Sequence, residues 1–227
     1  MGIYYIGVHI WTRDVAAVRQ EVILKFAAEG FALAEDIPAS VSTKDDHVPA
    51  ADDLYGVMVS GRSGAGWVTA YVDDWPDSGI LARHLSHALQ VPALEIWVSN
   101  TPDWGYTYYE QGIVADRFAS DLRQLDSPEE AAGYQGNAEK LAPLLRSPAE
   151  ELQKTLTEAH QQHEDFGGKS LTALSGAVGL PLMHVYTGYS DFLEDDPEDY
   201  SPGLENWQEF RHLAFASPTG RTNLAED

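Results

Sequence analysis

The chain has 227 residues, enough for one large domain or two small ones fused closely, and its 44% hydrophobic and 11% aromatic content is that of a globular rather than a disordered protein. It contains no cysteine, which excludes a disulfide framework, a thiolate zinc site, a cysteine nucleophile and an iron–sulfur cluster. With Lys+Arg 14 against Asp+Glu 36, the formal charge is −22. That disfavours DNA, RNA and anionic lipid as partners and favours cationic ones, although solubility or adaptation to a salty or acidic milieu accounts for the same excess.

Residues 3–11 carry Ile3, Tyr4, Tyr5, Ile6, Val8 and Ile10 and read as a buried strand. The segment has no basic flank, so no secretory signal is expected; no apolar run approaches the roughly 20 residues of a membrane span, and a cytoplasmic protein is the plain reading. Thr12 and Asp14 can cap a helix whose apolar face is Val15, Val18, Val22, Ile23 and Phe26, with Gly30 as its stop. Residues 31–34 suit a short strand and 35–53 a long surface loop. A hairpin follows, 56–60 and 66–73, joined by the glycine-rich residues 61–65. Trp67, Thr69 and Tyr71 fall on one of its faces and Val68, Ala70 and Val72 on the other. Asp77 or Ser78 opens a helix to Gln90 with Ile80, Leu81, Leu85 and Leu89 inward. A strand at 93–98 and a second hairpin, 106–110 and 113–118 about Gln111-Gly112, complete the first half.

The second half is Ala-, Leu- and Glu-rich at 126–159, a helical insertion punctuated by Pro128, Gly133, Gly136, Pro143 and Pro148. A helix at 169–178 and a strand at 183–187 come next. The acidic segment 190–206 follows, and Trp207, Phe210, Leu213 and Phe215 then return an apolar face to the core. Residues 85–92, Leu-Ser-His-Ala-Leu-Gln-Val-Pro, align without gaps with 174–181, Leu-Ser-Gly-Ala-Val-Gly-Leu-Pro. A helix-turn-strand unit at 78–98 is thereby repeated at 167–187, by duplication or by reuse of a common helix exit. The expected fold is a single α+β domain over 1–227: a mixed, mostly antiparallel sheet with helices packed on one side and a helical insertion.

The chemistry-bearing residues are sparse. His84 and His87, three apart on a helix, share a face as metal-binding pairs do, but half-buried histidines are the simpler reading. His160, His163 and Glu164, with Glu158 and Asp165, form a denser cluster. It departs from His-Glu-x-x-His and sits at a helix end that favours protonated histidine, so a metal-dependent hydrolase built on it is the alternative reading. Residues 61–66 lack the Lys-Ser/Thr of a phosphate loop, and no Gly-x-Ser-x-Gly elbow is present. Asp73-Asp74-Trp75 is the best candidate for paired carboxylates, against a plain strand end and helix cap.

Two segments suit partner binding. Residues 190–206 hold seven acids and no base, without the EF-hand order. There Asp191, Glu194, Asp195, Asp196, Glu198 and Asp199 are interleaved with Phe192 and Tyr200, as suits docking on a basic protein; a solvated loop tethered by its aromatics is the bland alternative. Trp104, Tyr106 and Tyr108 share one face of the second hairpin, either as core with satisfied hydroxyls or as a binding surface. The run 104–118, an aromatic strand, a glycine turn, then Val114, Asp116, Arg117 and Phe118, resembles a segment of uncharacterised bacterial proteins akin to the immunity proteins of toxin systems. That resemblance implies an acidic cytoplasmic binding protein and carries no site residue with it. The sequence is thus read as a non-catalytic protein without cofactors that engages a basic protein partner.

Overall fold

The computed structural model describes residues 5–39, 54–63, 66–72, 75–99, 103–160, 168–188 and 209–216. The α+β expectation holds. Eight strands, β1 (Tyr5–Trp11), β2 (Ala32–Pro38), β3 (Leu54–Val59), β4 (Trp67–Val72), β5 (Ala93–Val98), β6 (Trp104–Glu110), β7 (Ile113–Ala119) and β8 (Arg211–Ala216), form one sheet. Their order is β2-β8-β3-β4-β1-β5-β6-β7, and every pairing is antiparallel. The helices are α1 (Val15–Ala28), α2 (Trp75–Leu89), α3 (Pro128–Ala132), α4 (Ala149–Ala159) and α5 (Gly168–Val178).

Helices cover both faces of the sheet, not one. Against the first face α1 and α2 pack Val18, Val22, Phe26, Leu81 and Leu85 onto Val8, Val57, Val68, Ala70, Leu213 and Phe215, with Phe26 stacked on Phe215 at 4.2 Å. Against the second face α4 and α5 pack Leu152, Leu156, Leu171 and Leu174 onto Trp67, Leu94, Ile96, Trp104, Tyr106, Tyr108 and Phe118. A strand covered on both sides buries every residue, as β4 does from Trp67 to Val72, so its alternation distinguishes two cores rather than core from solvent.

The register places one residue from each strand in a row across the second face: Ile37, His212, Met58, Tyr71, Gly7, Ile96, Tyr106 and Phe118. Asp14 caps α1 by accepting from the Ala17 N–H at 2.9 Å, and Gly30 leaves the helix at φ +88°, as expected. The insertion breaks at its prolines and glycines into α3, a 3₁₀ turn (Ala142–Leu144) and α4. It shields edge strand β7, where the Gly136 N–H donates to the Arg117 carbonyl (2.9 Å) and the Asn137 N–H to Asp116 Oδ2 (2.7 Å).

Two expectations are corrected. Residues 35–38, read as loop, extend β2 along the sheet edge. A polar edge strand breaks the apolar pattern, and Asp36 is held there by Arg19 and by Arg211, whose Nε donates to Oδ1 at 2.8 Å. Residues 183–187 are not a strand but follow a 3₁₀ turn (Leu182–His184) against the second face. The segment packs Val185 and Tyr186 onto the second face and is not ladder-paired to a strand, and strand-like composition makes a strand only where a ladder forms. The repeated unit therefore matches in its helix exit alone. At that exit Gln90 and Gly179 both take positive φ (53° and 67°), the Val91 and Leu180 N–H groups return to Ser86 and Ser175 carbonyls, and the hydroxyls of Ser86 and Ser175 donate to the carbonyls of Val91 and Leu180.

Candidate functional site

The aromatic hairpin is core. Trp104, Tyr106 and Tyr108 are fully buried, so they offer no surface to a partner. Because strand side chains alternate, all three point into the α4–α5 layer. There the Trp104 Nε1–H donates to Ser170 Oγ (3.0 Å), and the Tyr106 and Tyr108 hydroxyls donate to Asp116 (2.8 Å) and Glu110 (2.7 Å). Burial first, and then the neighbouring carboxylate, raises both phenol pKa values above the ordinary 10. The large apolar side chains that the hairpin leaves exposed are Ile113 and Val114 at the start of β7.

The histidines singled out by sequence do not converge. His84 Nε2 lies 3.3 Å from Glu21 on α1, whereas His87 Nδ1 faces the Gln111 carbonyl at 3.2 Å, so the pair splits toward two elements. Burial lowers the His84 pKa, against the pull of Glu21. His160, at the end of α4, stacks on Phe118 at 4.9 Å and turns Nε2 to the Ala119 carbonyl at 3.1 Å. His163 and Glu164 lie outside the described residues, as do Asp73, Asp74 and the segment with Asp191, Phe192, Glu194, Asp195, Asp196, Glu198, Asp199 and Tyr200. Among the described residues no three His, Asp or Glu side chains are grouped to hold a metal ion, and no helix is long and apolar enough to cross a membrane.

Buried ionisable residues that sequence reasoning passed over sit on the two sheet faces. Glu95 on β5 faces the first core, hydrogen-bonded by the Ser78 hydroxyl of α2 and by Thr107 and Tyr109 of β6. Burial raises its pKa above the ordinary 4.5, against those hydrogen bonds and the Arg117 charge. A methyl group on Gly79 would lie 3.3 Å from the Tyr109 hydroxyl and 3.5 Å from Glu95 Oε2, so glycine lets α2 approach this cluster closely. On the second face His9 of β1, His212 of β8 and His184 of the 182–184 turn are buried, and His184 Nδ1 meets the Tyr71 hydroxyl at 2.6 Å. The signal for three of these was a lone ionisable residue inside an apolar strand, as in Gly-Val-His-Ile, Leu-Glu-Ile and His-Leu-Ala-Phe.

One described surface is concave and acidic. A groove of about 500 Å³ runs along α4, lined by Glu139, Glu150, Glu158, Lys154, Gln153, Thr157 and Ala149. Residues 150, 154, 157 and 158 recur at helical spacing on the side of α4 opposite buried Leu152 and Leu156, so the same amphipathic helix that closes the second core presents carboxylates outward. Three glutamates meet one lysine there, and such a surface suits a guanidinium or ammonium group. Compared with protein-family models, with curated proteins and with solved structures, the chain finds no match.

Proposed function

We propose that the protein is a non-catalytic cytoplasmic binding protein whose acidic surface engages a basic protein partner, in the manner of an immunity protein neutralising a cationic toxin domain. The observation that carries this reading is the −22 charge together with a groove lined by Glu139, Glu150 and Glu158. The acidic segment 190–206 adds seven carboxylates in sequence. Nucleic acid is disfavoured because its phosphates are repelled by such a surface. Because Trp104, Tyr106 and Tyr108 are fully buried, the reading rests on exposed carboxylates and not on the hairpin face.

The test is calorimetric titration of the full chain with arginine-rich peptides and a panel of basic protein domains. Binding is expected to weaken by about an order of magnitude between about 20 mM and about 200 mM salt as charges are screened. The triple variant E139Q/E150Q/E158Q should weaken it comparably. Absence of binding across the panel at low salt, or binding indifferent to both salt and the triple variant, overturns the reading.

A further inference from the structure

Three arginines are half-buried among the described residues, Arg19, Arg117 and Arg211. Arg19 and Arg211 are both ion-paired to Asp36. The Arg117 guanidinium on β7 makes no hydrogen bond or ion pair among the described residues, although the chain carries 36 acids. We propose that Arg117, backed by the ring of Tyr134, is a binding site for the carboxylate of a small organic acid. It lies on the first face of the sheet and is independent of the acidic groove of α4 on the second.

The register explains why this guanidinium is left over. Val8, Glu95, Thr107 and Arg117 lie in one row across the first face, so the carboxyl of that row is two strands away. Glu95 is already held by the hydroxyls of Ser78, Thr107 and Tyr109, and it is roofed by Gly79, whose Cβ would lie 3.5 and 3.6 Å from its two oxygens. Asp116, next to Arg117 in sequence, points to the other face, where it accepts from the Tyr106 hydroxyl and the Asn137 N–H. Arg117 instead meets an aromatic ring: its Cζ lies over Tyr134, 5.5 Å from the centroid. Both partners of that stack are fixed by backbone. The Ala119 N–H donates to the Tyr134 carbonyl (3.1 Å) and the Gly136 N–H to the Arg117 carbonyl (2.9 Å).

The chemistry of the ligand follows from the donors and charges around this side chain. A guanidinium carries its N–H donors in a rigid planar fork, and a pair of them matches the two oxygens of a carboxylate. With no protein acceptor, those donors are left to solvent or to a ligand. Arg83 of α2 adds a second positive charge that acts, like Arg117, on the Tyr109 hydroxyl, and Glu95 is hydrogen-bonded to that same hydroxyl. One negative charge is therefore accommodated better than two, because a dianion would be repelled by Glu95. Val114, paired with Tyr109 across the hairpin and 37% exposed, offers apolar surface on the same face for the hydrocarbon part of the acid.

Titrating the isotope-labelled full chain with sodium benzoate, against sodium chloride at equal ionic strength, tests the site through the Arg117 Nε–H resonance. Two charge-assisted hydrogen bonds set a dissociation constant on the order of 1–10 mM, so the resonance should shift and saturate with benzoate, the Val114 amide moving with it. Chloride should move neither. Arg117→Lys keeps the charge without the fork and should weaken benzoate binding at least about tenfold, read at the Val114 amide. No saturation up to about 100 mM, an equal response to chloride, or undiminished binding by Arg117→Lys overturns the proposal. A capped glutamate-containing peptide that saturates the same resonance at least about tenfold more tightly than benzoate overturns the small-acid assignment, since the site would then serve an acidic protein segment. Should Arg117→Lys not fold, the wild-type titration decides: saturation with benzoate and none with chloride supports the site, and any other pattern overturns it.

Discussion

Replacing Glu95 by glutamine or by alanine separates the charge of this side chain from its hydrogen bonds. Glu95 lies in β5 between Val8 and Thr107 and takes hydrogen bonds from Ser78, Thr107 and Tyr109. Its pKa is raised on folding, so between the ordinary 4.5 and its folded value the native state holds a proton that the unfolded chain has lost. Stability referred to this group is complete below about pH 4.5 and falls by about 1.4 kcal/mol per pH unit until the folded value is passed. Glutamine keeps the shape and an acceptor but does not titrate, so E95Q should gain on wild type as pH rises through that window and then hold level. Alanine strands three hydroxyls at about 1 kcal/mol or more each, so E95A should be about 3 kcal/mol less stable than E95Q at every pH. Urea unfolding followed by tryptophan fluorescence across a pH series measures both differences, and other titrations common to the variants cancel. A pH-independent gap between wild type and E95Q, or E95A as stable as E95Q, would refute the reasoning.

Gly105→Ala should destabilise by about 2–4 kcal/mol, because the new Cβ would lie 2.5 Å from the Phe118 carbonyl oxygen and 2.5 Å from the Trp97 ring, and the carbonyl is backbone of the adjacent strand; thermal melts measure it. The two helix exits predict opposite outcomes for exchanged residues. Gln90→Gly should stabilise by about 0.5 kcal/mol, relief of positive φ being partly offset by loss of the Gln90 Nε2 bond to the His87 carbonyl. Gly179→Ala should cost more than about 1 kcal/mol, since strain at φ 67° is joined by collision with the Arg146 guanidinium; chemical denaturation midpoints distinguish the two.

Much of the fold was legible because local signals and tertiary packing agree. Asp14 and Gly30 bound α1 and are read directly from capping chemistry, and Gln111-Gly112 makes the β6–β7 turn because both residues take positive φ. What stayed hidden depends on neighbours. Leu182-Met183-His184-Val185 carries strand-like residues, yet it packs on the second face of the sheet instead of pairing along an edge. Trp104, Tyr106 and Tyr108 present a polar tip on each side chain, which periodicity cannot assign to core or surface until the α4–α5 layer is seen above them. For the candidate site, a carboxylate excess locates no groove by itself. Glu139 and Glu150 come together only because the 142–144 turn folds the chain back before α4.

The two faces of the sheet should respond to protons in opposite senses, because each carries a different kind of buried ionisable residue. Acidification neutralises Glu95 and so favours the seat of α2, whose Ser78 hydroxyl reaches that carboxyl. Burial holds the His9 and His212 pKa values of the second face below the ordinary 6.5, so acidification charges them only at a cost to that face. Since α2 and α5 end in the same left-handed exit but lie on opposite faces, a difference in acid response between the faces comes from the ionisable sheet residues and not from the helix ends. Falling pH should therefore weaken the second face, which carries the buried histidines, before the first, which carries Glu95.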